Sequence, residues 1–247
     1  MKKRFCKLAA AAMAAGAILL SFAGAVKADD YYIRDLGEDG FRERVEQVQN
    51  EGPYTDVSRD AWYCDAVEYC KTRLLLTGYP DGTFRPDNPV SRAEAAVVLK
   101  RLATDETFYY ETYFSDVPSD AWYAWEASSY GNLLGGSSRQ TSTWSPLGYI
   151  AYFYPTANVE REDFAVGIYN VYNLSEHTWK AHFPDMEQIT WSDHSGYNYR
   201  QAACAMSNLG IMVGDSQGNF NPKKALTRAE LAQVLYNIDN NDSGLLH

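Results

Sequence analysis

An aspartate followed six residues later by a tryptophan occurs three times in this chain, and this spacing constrains the fold more than any other feature of the sequence. In each case an aromatic residue stands two positions before the aspartate. Recurrence of one pattern along a chain is the signature of an array of small structural repeats. The sequence therefore predicts three copies of one module, marked by the pairs Asp56 and Trp62, Asp116 and Trp122, and Asp185 and Trp191.

The second half of the module is equally regular in the first and third copies. Both copies contain the pattern Gly-x-x-x-Gly-x-Phe-x-Pro, at residues 78–86 and 214–222. Both continue with Ser/Thr-Arg-Ala-Glu, at residues 91–94 and 227–230. Glycine and proline in these positions are typical of a turn between two regular elements.

The middle copy departs from this pattern. Ser138 and Ser142 align with the two loop glycines, and nine extra residues precede Arg161, which aligns with the arginine of the other copies. The third copy has its own insertion, after Trp191. We therefore predict a degenerate middle copy that lacks the loop glycine.

Apolar residues at helical spacing follow each Ser/Thr-Arg-Ala-Glu segment. In the first copy they recur at i, i+3, i+4 and i+7, which is the stripe of an amphipathic helix. Ser91 with Glu94, and Thr227 with Glu230, have the spacing of a capping box. Glu160 and Asp163 offer a weaker cap in the middle copy. Each copy is thus interpreted as helix, loop, helix, and we predict an all-α fold of three repeats packed with pseudo-threefold symmetry.

The predicted domain organisation follows from these patterns and from the N-terminus. A basic start, an apolar run to about Val26 and the segment Ala25-Val26-Lys27-Ala28, with small residues at the two positions that a signal peptidase reads, predict a signal peptide that is removed after export. The predicted boundaries are a signal peptide at 1–28, a segment with a short helix at 29–53, repeats at 54–103, 114–173 and 183–238, and a flexible tail at 239–247.

The charge of the chain excludes one class of partner. The formal net charge is −10 at pH 7, and cleavage after Ala28 would remove five basic residues. Nucleic-acid binding needs clustered Lys and Arg to neutralise phosphates, so an acidic chain of this kind is not expected to bind nucleic acid. Attraction to an acidic polymer must come from individual, well-placed cations.

The combined motif resembles the S-layer homology domain, strongly in the first and third copies and weakly in the middle one. The resemblance implies three tandem copies in a three-pronged arrangement of helices. It also implies non-covalent attachment of an exported protein to secondary cell-wall polysaccharide, often pyruvylated, in grooves between copies. The residues that it implies for binding are Arg92, Arg161 and Arg228, Trp62, Trp122 and Trp191, Asp56, Asp116 and Asp185, and Gly78 and Gly214.

The chemistry of these residue types suits such a ligand. An arginine in the first turn of a helix offers a forked cation to a carboxylate, and an indole offers a flat face to a sugar ring. Structural roles compete with this interpretation. The tryptophans also suit a core, the aspartates suit the turn before the first helix, and the glutamates at 94 and 230 suit helix caps. An internal aspartate could also serve as the partner of an arginine.

Other functional classes fit the sequence less well. No metal or cofactor is expected, since neither a Cys/His spacing nor a complete calcium loop is present. No pair of carboxylates and no Ser-His-Asp pattern is singled out, so we do not expect an enzyme. The state of Cys64, Cys70 and Cys204 stays open. The main alternative is a protein-interaction or surface-layer assembly module whose sugar sites have decayed.

Overall fold

The computed structural model describes residues 52–72, 75–103, 113–136, 138–140, 150–190, 198–244 and 246. The predicted signal peptide at 1–28, the predicted helix around residues 41–49 and Trp191 lie outside these described residues. Within them, no helix is long and apolar enough to cross a membrane.

Helices dominate the described structure, which confirms the predicted all-α class. The elements are α1 Cys64–Thr72, α2 Arg92–Leu102, α3 Ala124–Tyr130, β1 Ser138–Gln140, β2 Ile150–Tyr152, α4 Arg161–Val171, α5 Tyr199–Asn208 and α6 Arg228–Asp239, with single 3-10 turns at Leu174–Glu176 and Met186–Gln188. Each copy of the motif therefore contains a first helix (α1, α3, α5) and a second helix (α2, α4, α6).

The second helices begin where the capping boxes predict. Ser91 Oγ accepts the N–H of Glu94 at 3.2 Å, and the Glu94 carboxylate accepts the N–H of Ser91 at 2.7 Å. Thr227 and Glu230 make the same reciprocal pair. The cap predicted for the middle copy is wrong, because Glu160 makes no side-chain cap hydrogen bond. A reciprocal arrangement would bring the carboxylates of Glu160 and Asp163 together, and like charges repel one another.

The described chain divides into two compact units, and the smaller unit contains residues up to Asn88 together with Thr227–Asp239. Within it, α1 of the first copy packs against α6 of the third copy. Tyr69 and Tyr236 meet edge to face with ring centroids 5.0 Å apart. Cys70 is a buried thiol whose Sγ donates to Ala232 O at 3.6 Å.

The larger unit contains Pro89–Leu226 and the residues after Asp239. Here α2 packs against α3 and α4, and α4 also packs against α5. Gly167 of α4 lies close to α2, since a Cβ at this position would come within 2.6 Å of Leu99 Cδ1. In both units, therefore, the second helix of one copy pairs with the first helix of another, so the helix pairs form between copies.

Three equivalent residues form a closed ring of hydrogen bonds in the larger unit. The N–H of Val90 donates to Leu226 O, that of Leu226 to Val159 O, and that of Val159 to Val90 O, at 2.8 to 2.9 Å. All three side chains are fully buried. Each residue stands just before the second helix of its copy, so this ring joins the three segments that precede these helices.

Two further features of the larger unit were not predicted from the sequence. In the middle copy, β1 and β2 pair as an antiparallel ribbon with Arg139 opposite Ala151. In the predicted tail, Asn241 donates to Leu209 O at 2.7 Å, and Leu246 is buried.

Candidate functional site

The loop between the two helices of each copy is held by the aspartate of that copy. The carboxylate accepts two consecutive backbone N–H groups of the loop, at 2.7 to 2.8 Å. The sets are Asp56 with Phe84 and Arg85, Asp116 with Phe153 and Tyr154, and Asp185 with Phe220 and Asn221. The aspartates thus act on a loop 28 to 38 residues downstream, and not on the adjacent turn that the sequence suggested.

The second residue of each set has an unusual backbone. Arg85, Tyr154 and Asn221 have φ between 56° and 58°, in the left-handed region. Residues other than glycine avoid this region because the side chain crowds the backbone. Two charge-assisted hydrogen bonds to one carboxylate offset that strain.

The motif arginines hold the same loops from the other side. Arg228 Nε donates to Phe84 O at 2.8 Å, Arg92 Nε to Phe153 O at 2.8 Å, and Arg161 Nε to Phe220 O at 2.9 Å. Each arginine belongs to a different copy from the loop that it contacts, and all three are buried, with exposed fractions of 1–8%. The structure therefore places these predicted site residues beneath the loops.

Two of the arginines also bind the beginning of the loop. Arg228 Nη2 donates to Thr77 O at 2.8 Å, and Arg92 Nη1 donates to Gly135 O at 2.6 Å. The planar guanidinium can donate in several directions at once. Each of these two side chains therefore ties the start of a loop to its buried phenylalanine.

The middle copy retains a loop glycine, contrary to our prediction. The N–H of Gly78 donates to Tyr54 Oη at 2.7 Å, and the N–H of Gly136 donates to Tyr199 Oη at 3.0 Å. Each glycine directly follows the carbonyl that accepts from an arginine. Gly136, and not Ser138, is therefore equivalent to Gly78.

The length of the first helix explains the shift of two residues. Helix α3 has 7 residues where α1 has 9, so the middle loop starts two residues early. The pair Gly135-Gly136 was the signal in the sequence. The position requires glycine in both copies: a Cβ on Gly78 would lie 2.1 Å from the Tyr54 ring, and Gly136 has φ of 76°.

Neither of the two motif tryptophans that the structure describes is buried. Trp62 is 63% exposed, so the core role considered from the sequence is wrong for it. Trp122 is half-buried. Each meets the following tyrosine edge to face, with centroids 5.2 Å apart. Trp191, the third predicted residue, lies outside the described structure.

Arg92 has a carboxylate partner that the motif does not predict. Asp163 Oδ2 lies 3.2 Å from Arg92 Nη1, and both side chains are at most 10% exposed. Burial raises the pKa of Asp163 to about 6, because desolvation outweighs the attraction of Arg92, and Glu160 and Glu162 add to the rise.

Carboxylates of the middle copy form the one group, among the described residues, that could approach a cation. Ligand atoms of Glu160, Glu162 and Asp163 lie within 4.8 Å of one another. Glu162 is already paired with Lys223, and Asp163 is paired with Arg92. Since cationic side chains of the protein occupy these carboxylates, we assign no metal to them.

Comparison with known proteins gives one family. The model described as S-layer homology domain matches residues 53–96 and 190–232. These segments contain Asp56, Trp62 and Gly78 of the first copy and Gly214 and Arg228 of the third.

Relatives match a longer part of the chain. It is 29% identical to an S-layer protein of Bacillus licheniformis over 74% of this chain and 19% of that protein. It is 26% identical to an amylopullulanase of Thermoanaerobacterium thermosulfurigenes over 73% of this chain and 9% of that protein. It is 30% identical to cell surface glycoprotein 1 of Acetivibrio thermocellus over 66% of this chain and 7% of that protein. The chain therefore spans less than a fifth of each of these relatives.

Proposed function

Since residues 53–96 and 190–232 of this chain belong to the S-layer homology family, we propose that the protein attaches non-covalently to the bacterial cell wall by binding an acidic, pyruvylated wall polysaccharide. Similarity to an S-layer protein and to a cell surface glycoprotein supports a location at the cell surface. The matched segment is 9% of the amylopullulanase, so this similarity gives no reason to assign an enzymatic activity.

The exposure of Trp62 is the observation that carries the proposal. Trp62 is one of the largest apolar side chains in the chain, and it is 63% exposed. Other motif residues of the same copy, Asp56, Gly78 and Phe84, are all engaged in building the loop. An indole that is held at the surface presents a flat apolar face on which the C–H groups of a sugar ring can pack.

Cations next to this loop support an acidic ligand. Arg85 lies over one tyrosine, with Cζ 3.7 Å from the Tyr79 ring centroid, and the buried Arg228 lies 4.9 Å from the same centroid. The loop thus places two guanidinium groups beside Tyr79, and Arg85 is also paired with Asp81 at 2.8 Å. In this proposal a ligand carboxylate, such as that of a pyruvyl ketal, competes with Asp81 for the exposed guanidinium of Arg85.

In this proposal the buried arginines position the loops, and the exposed residues make the first contact with the saccharide. Arg92, Arg161 and Arg228 each fix a loop phenylalanine through its carbonyl. Loop glycines such as Gly78 allow the backbone to approach the ligand closely. Preorganisation of this kind reduces the entropy that is lost on binding.

Co-sedimentation with wall sacculi tests the function. We expect the secreted protein to sediment with sacculi that carry secondary polysaccharide and to stay in solution when that polysaccharide has been removed. Sedimentation that is unchanged by the removal would contradict polysaccharide binding and point to peptidoglycan or protein. Failure to sediment with either preparation would favour a protein-interaction module.

A matched pair of substitutions tests the site. Trp62→Ala should reduce sedimentation at least tenfold while the fold is retained, because the side chain is mostly in solvent. Trp125→Ala is the control, since Trp125 is also partly exposed, at 40%, but stands outside the motif. Equal effects of the two changes would argue against the assigned surface.

A further inference from the structure

We infer that Asp163 occupies the place beside the Arg92 guanidinium that the carboxylate of an acidic saccharide would take. While Asp163 is ionised, the site at the loop of the middle copy (the middle site) therefore rejects such saccharides. The inference rests on the proposed function. It concerns a specificity-determining residue of the middle copy, which the motif residues alone do not reveal.

The position of the ion pair supports this assignment. A Cβ on Gly136 would lie 2.5 Å from Asp163 Oδ2 and 3.1 Å from Arg92 Nη1. Gly136 itself is exposed. Gly136 thus lies against the edge of the guanidinium, and Asp163 lies at the same edge. A ligand carboxylate that approached over Gly136 would meet a negative charge before it reached the cation.

The other copies use the corresponding acid differently. Glu94 and Glu230 stand two residues after Arg92 and Arg228, as Asp163 stands two residues after Arg161. Both glutamates fold back and accept the N–H of their capping residue. These two carboxylates therefore cap the helices to which they belong.

Two changes in the middle copy release Asp163 from that role. Its side chain is one methylene shorter than glutamate, so it reaches the capping N–H less readily. The capping residue is Glu160, whose negative charge repels a second carboxylate and whose side chain makes no cap hydrogen bond. Asp163 turns instead to Arg92, at 3.2 Å.

Several charged and titratable groups face Asp163. Arg92 comes from α2 and Lys223 from the loop of the third copy, whereas Glu160 is the N-cap and Glu162 a first-turn residue of its own helix. Tyr199 of α5 lies near the same point, since a Cβ on Gly135 would be 2.8 Å from both Asp163 Oδ1 and Tyr199 Oη. Arg92 and Lys223 stabilise the ionised form, whereas burial and the two glutamates oppose it.

The test measures binding of a defined probe, the methyl glycoside of an N-acetylated amino sugar that carries one pyruvyl ketal. Calorimetry counts the sites, and the NMR shift of the Gly136 amide reports binding at the middle loop. For Asp163→Asn at pH 7.5 we expect one additional site and a perturbed Gly136 amide. Asp120→Asn removes the same charge from an exposed position of the same copy and should change neither readout.

A second measurement uses the unmodified protein and does not depend on the folding of a variant. With the pKa of Asp163 at about 6, the neutral fraction rises about 30-fold between pH 7.5 and pH 5. Probe affinity at the middle loop should rise by about the same factor. An affinity there that does not change with pH would overturn the inference.

The outcomes separate this inference from the proposed function. If the wild-type protein at pH 7.5 already perturbs the Gly136 amide as strongly as Asp163→Asn does, the middle site is open and the inference is wrong, while saccharide binding stands. If the probe binds nowhere, the inference fails as well, and sedimentation with polysaccharide-bearing sacculi then decides whether the proposed function survives.

Discussion

The carboxylate of Asp56 accepts the backbone N–H of Phe84 at 2.7 Å, and the carbonyl of the same Phe84 accepts Nε of Arg228 at 2.8 Å. One buried phenylalanine is thus held at both of its backbone polar groups by charged side chains from opposite ends of the repeat array. The same arrangement occurs at Phe153 and Phe220. The loops that carry the candidate site therefore depend on these ionic groups.

Removal of the charge at Asp56 tests its role in the loop. Asp56→Asn replaces one carboxylate oxygen by an NH₂ group, which cannot accept from the N–H of Phe84 or Arg85. We expect a loss of about 1–3 kcal/mol in the free energy of unfolding, measured by urea denaturation. Asp60→Asn makes the same change at an exposed position of the adjacent turn and should cost less than about 0.5 kcal/mol. Similar losses would mean that the loop does not depend on the carboxylate.

Substitution of Arg228 by lysine tests the guanidinium fork. Lysine keeps the charge but cannot donate to Phe84 O and Thr77 O with one planar group. Because the side chain is 1% exposed, we expect Arg228→Lys to lower the free energy of unfolding by about 1–3 kcal/mol. Arg59→Lys, at an exposed position, is the control and should be nearly neutral. Equal stability of the two variants would show that charge alone is sufficient beneath the loop.

A comparison of two glycines separates backbone strain from crowding. Gly136 and Gly210 have φ of 76° and 69°, so alanine should be strained at both positions, by about 1–2 kcal/mol. A Cβ on Gly210 meets nothing within 4 Å, whereas one on Gly136 would displace the Arg92–Asp163 pair. We therefore expect Gly136→Ala to reduce thermal stability clearly more than Gly210→Ala. An equal loss of thermal stability in the two variants would show that the Arg92–Asp163 pair can move aside without destabilising the protein.

The raised pKa of Asp163 predicts an unusual pH dependence of stability. Its ordinary pKa is 3.8 and its pKa in the folded protein is about 6. Between these values the folded state binds a proton that the unfolded state has lost, so this group makes stability fall as the pH rises from about 4 to about 6. The contribution is roughly 3 kcal/mol at most, and urea denaturation across this range measures it.

Asp163→Asn should remove that slope of stability against pH between pH 4 and 6. A slope that persists in the variant would show that other groups cause it.

Two exposed carboxylates affect stability in a lower pH range. Hydrogen bonds hold the pKa of Asp81 and of Asp215 at about 2. Their contribution is present above pH 3.8 and is lost as the pH falls toward 2, so it does not mask the effect of Asp163.

The periodic features of the module were predictable because each depends on nearby residues. Capping boxes at Ser91 and Thr227 and the apolar stripe of the second helices are set by contacts within one or two turns. The predicted helix starts and the all-α class are therefore confirmed. The family resemblance follows from the same short patterns.

The partners of the charged residues depended on tertiary structure. Nothing within a copy indicates that Arg92 contacts Phe153 or that Asp163 turns toward Arg92, because these contacts join residues 61 and 71 positions apart. The equivalence of Gly136 with Gly78 was hidden for a related reason. A helix that is shorter by two residues shifts the loop along the sequence while the hydrogen bonds keep it in place.

The sequence by itself determined the module, its triplication and the residue types at each position, since local spacing encodes helix starts and turns. Only the tertiary structure decided which copy packs against which. A single helix pair of this size buries too little apolar surface to be stable alone, so each second helix packs against the first helix of another copy. Long-range packing of this kind placed the arginines beneath the loops and left Trp62 at the surface.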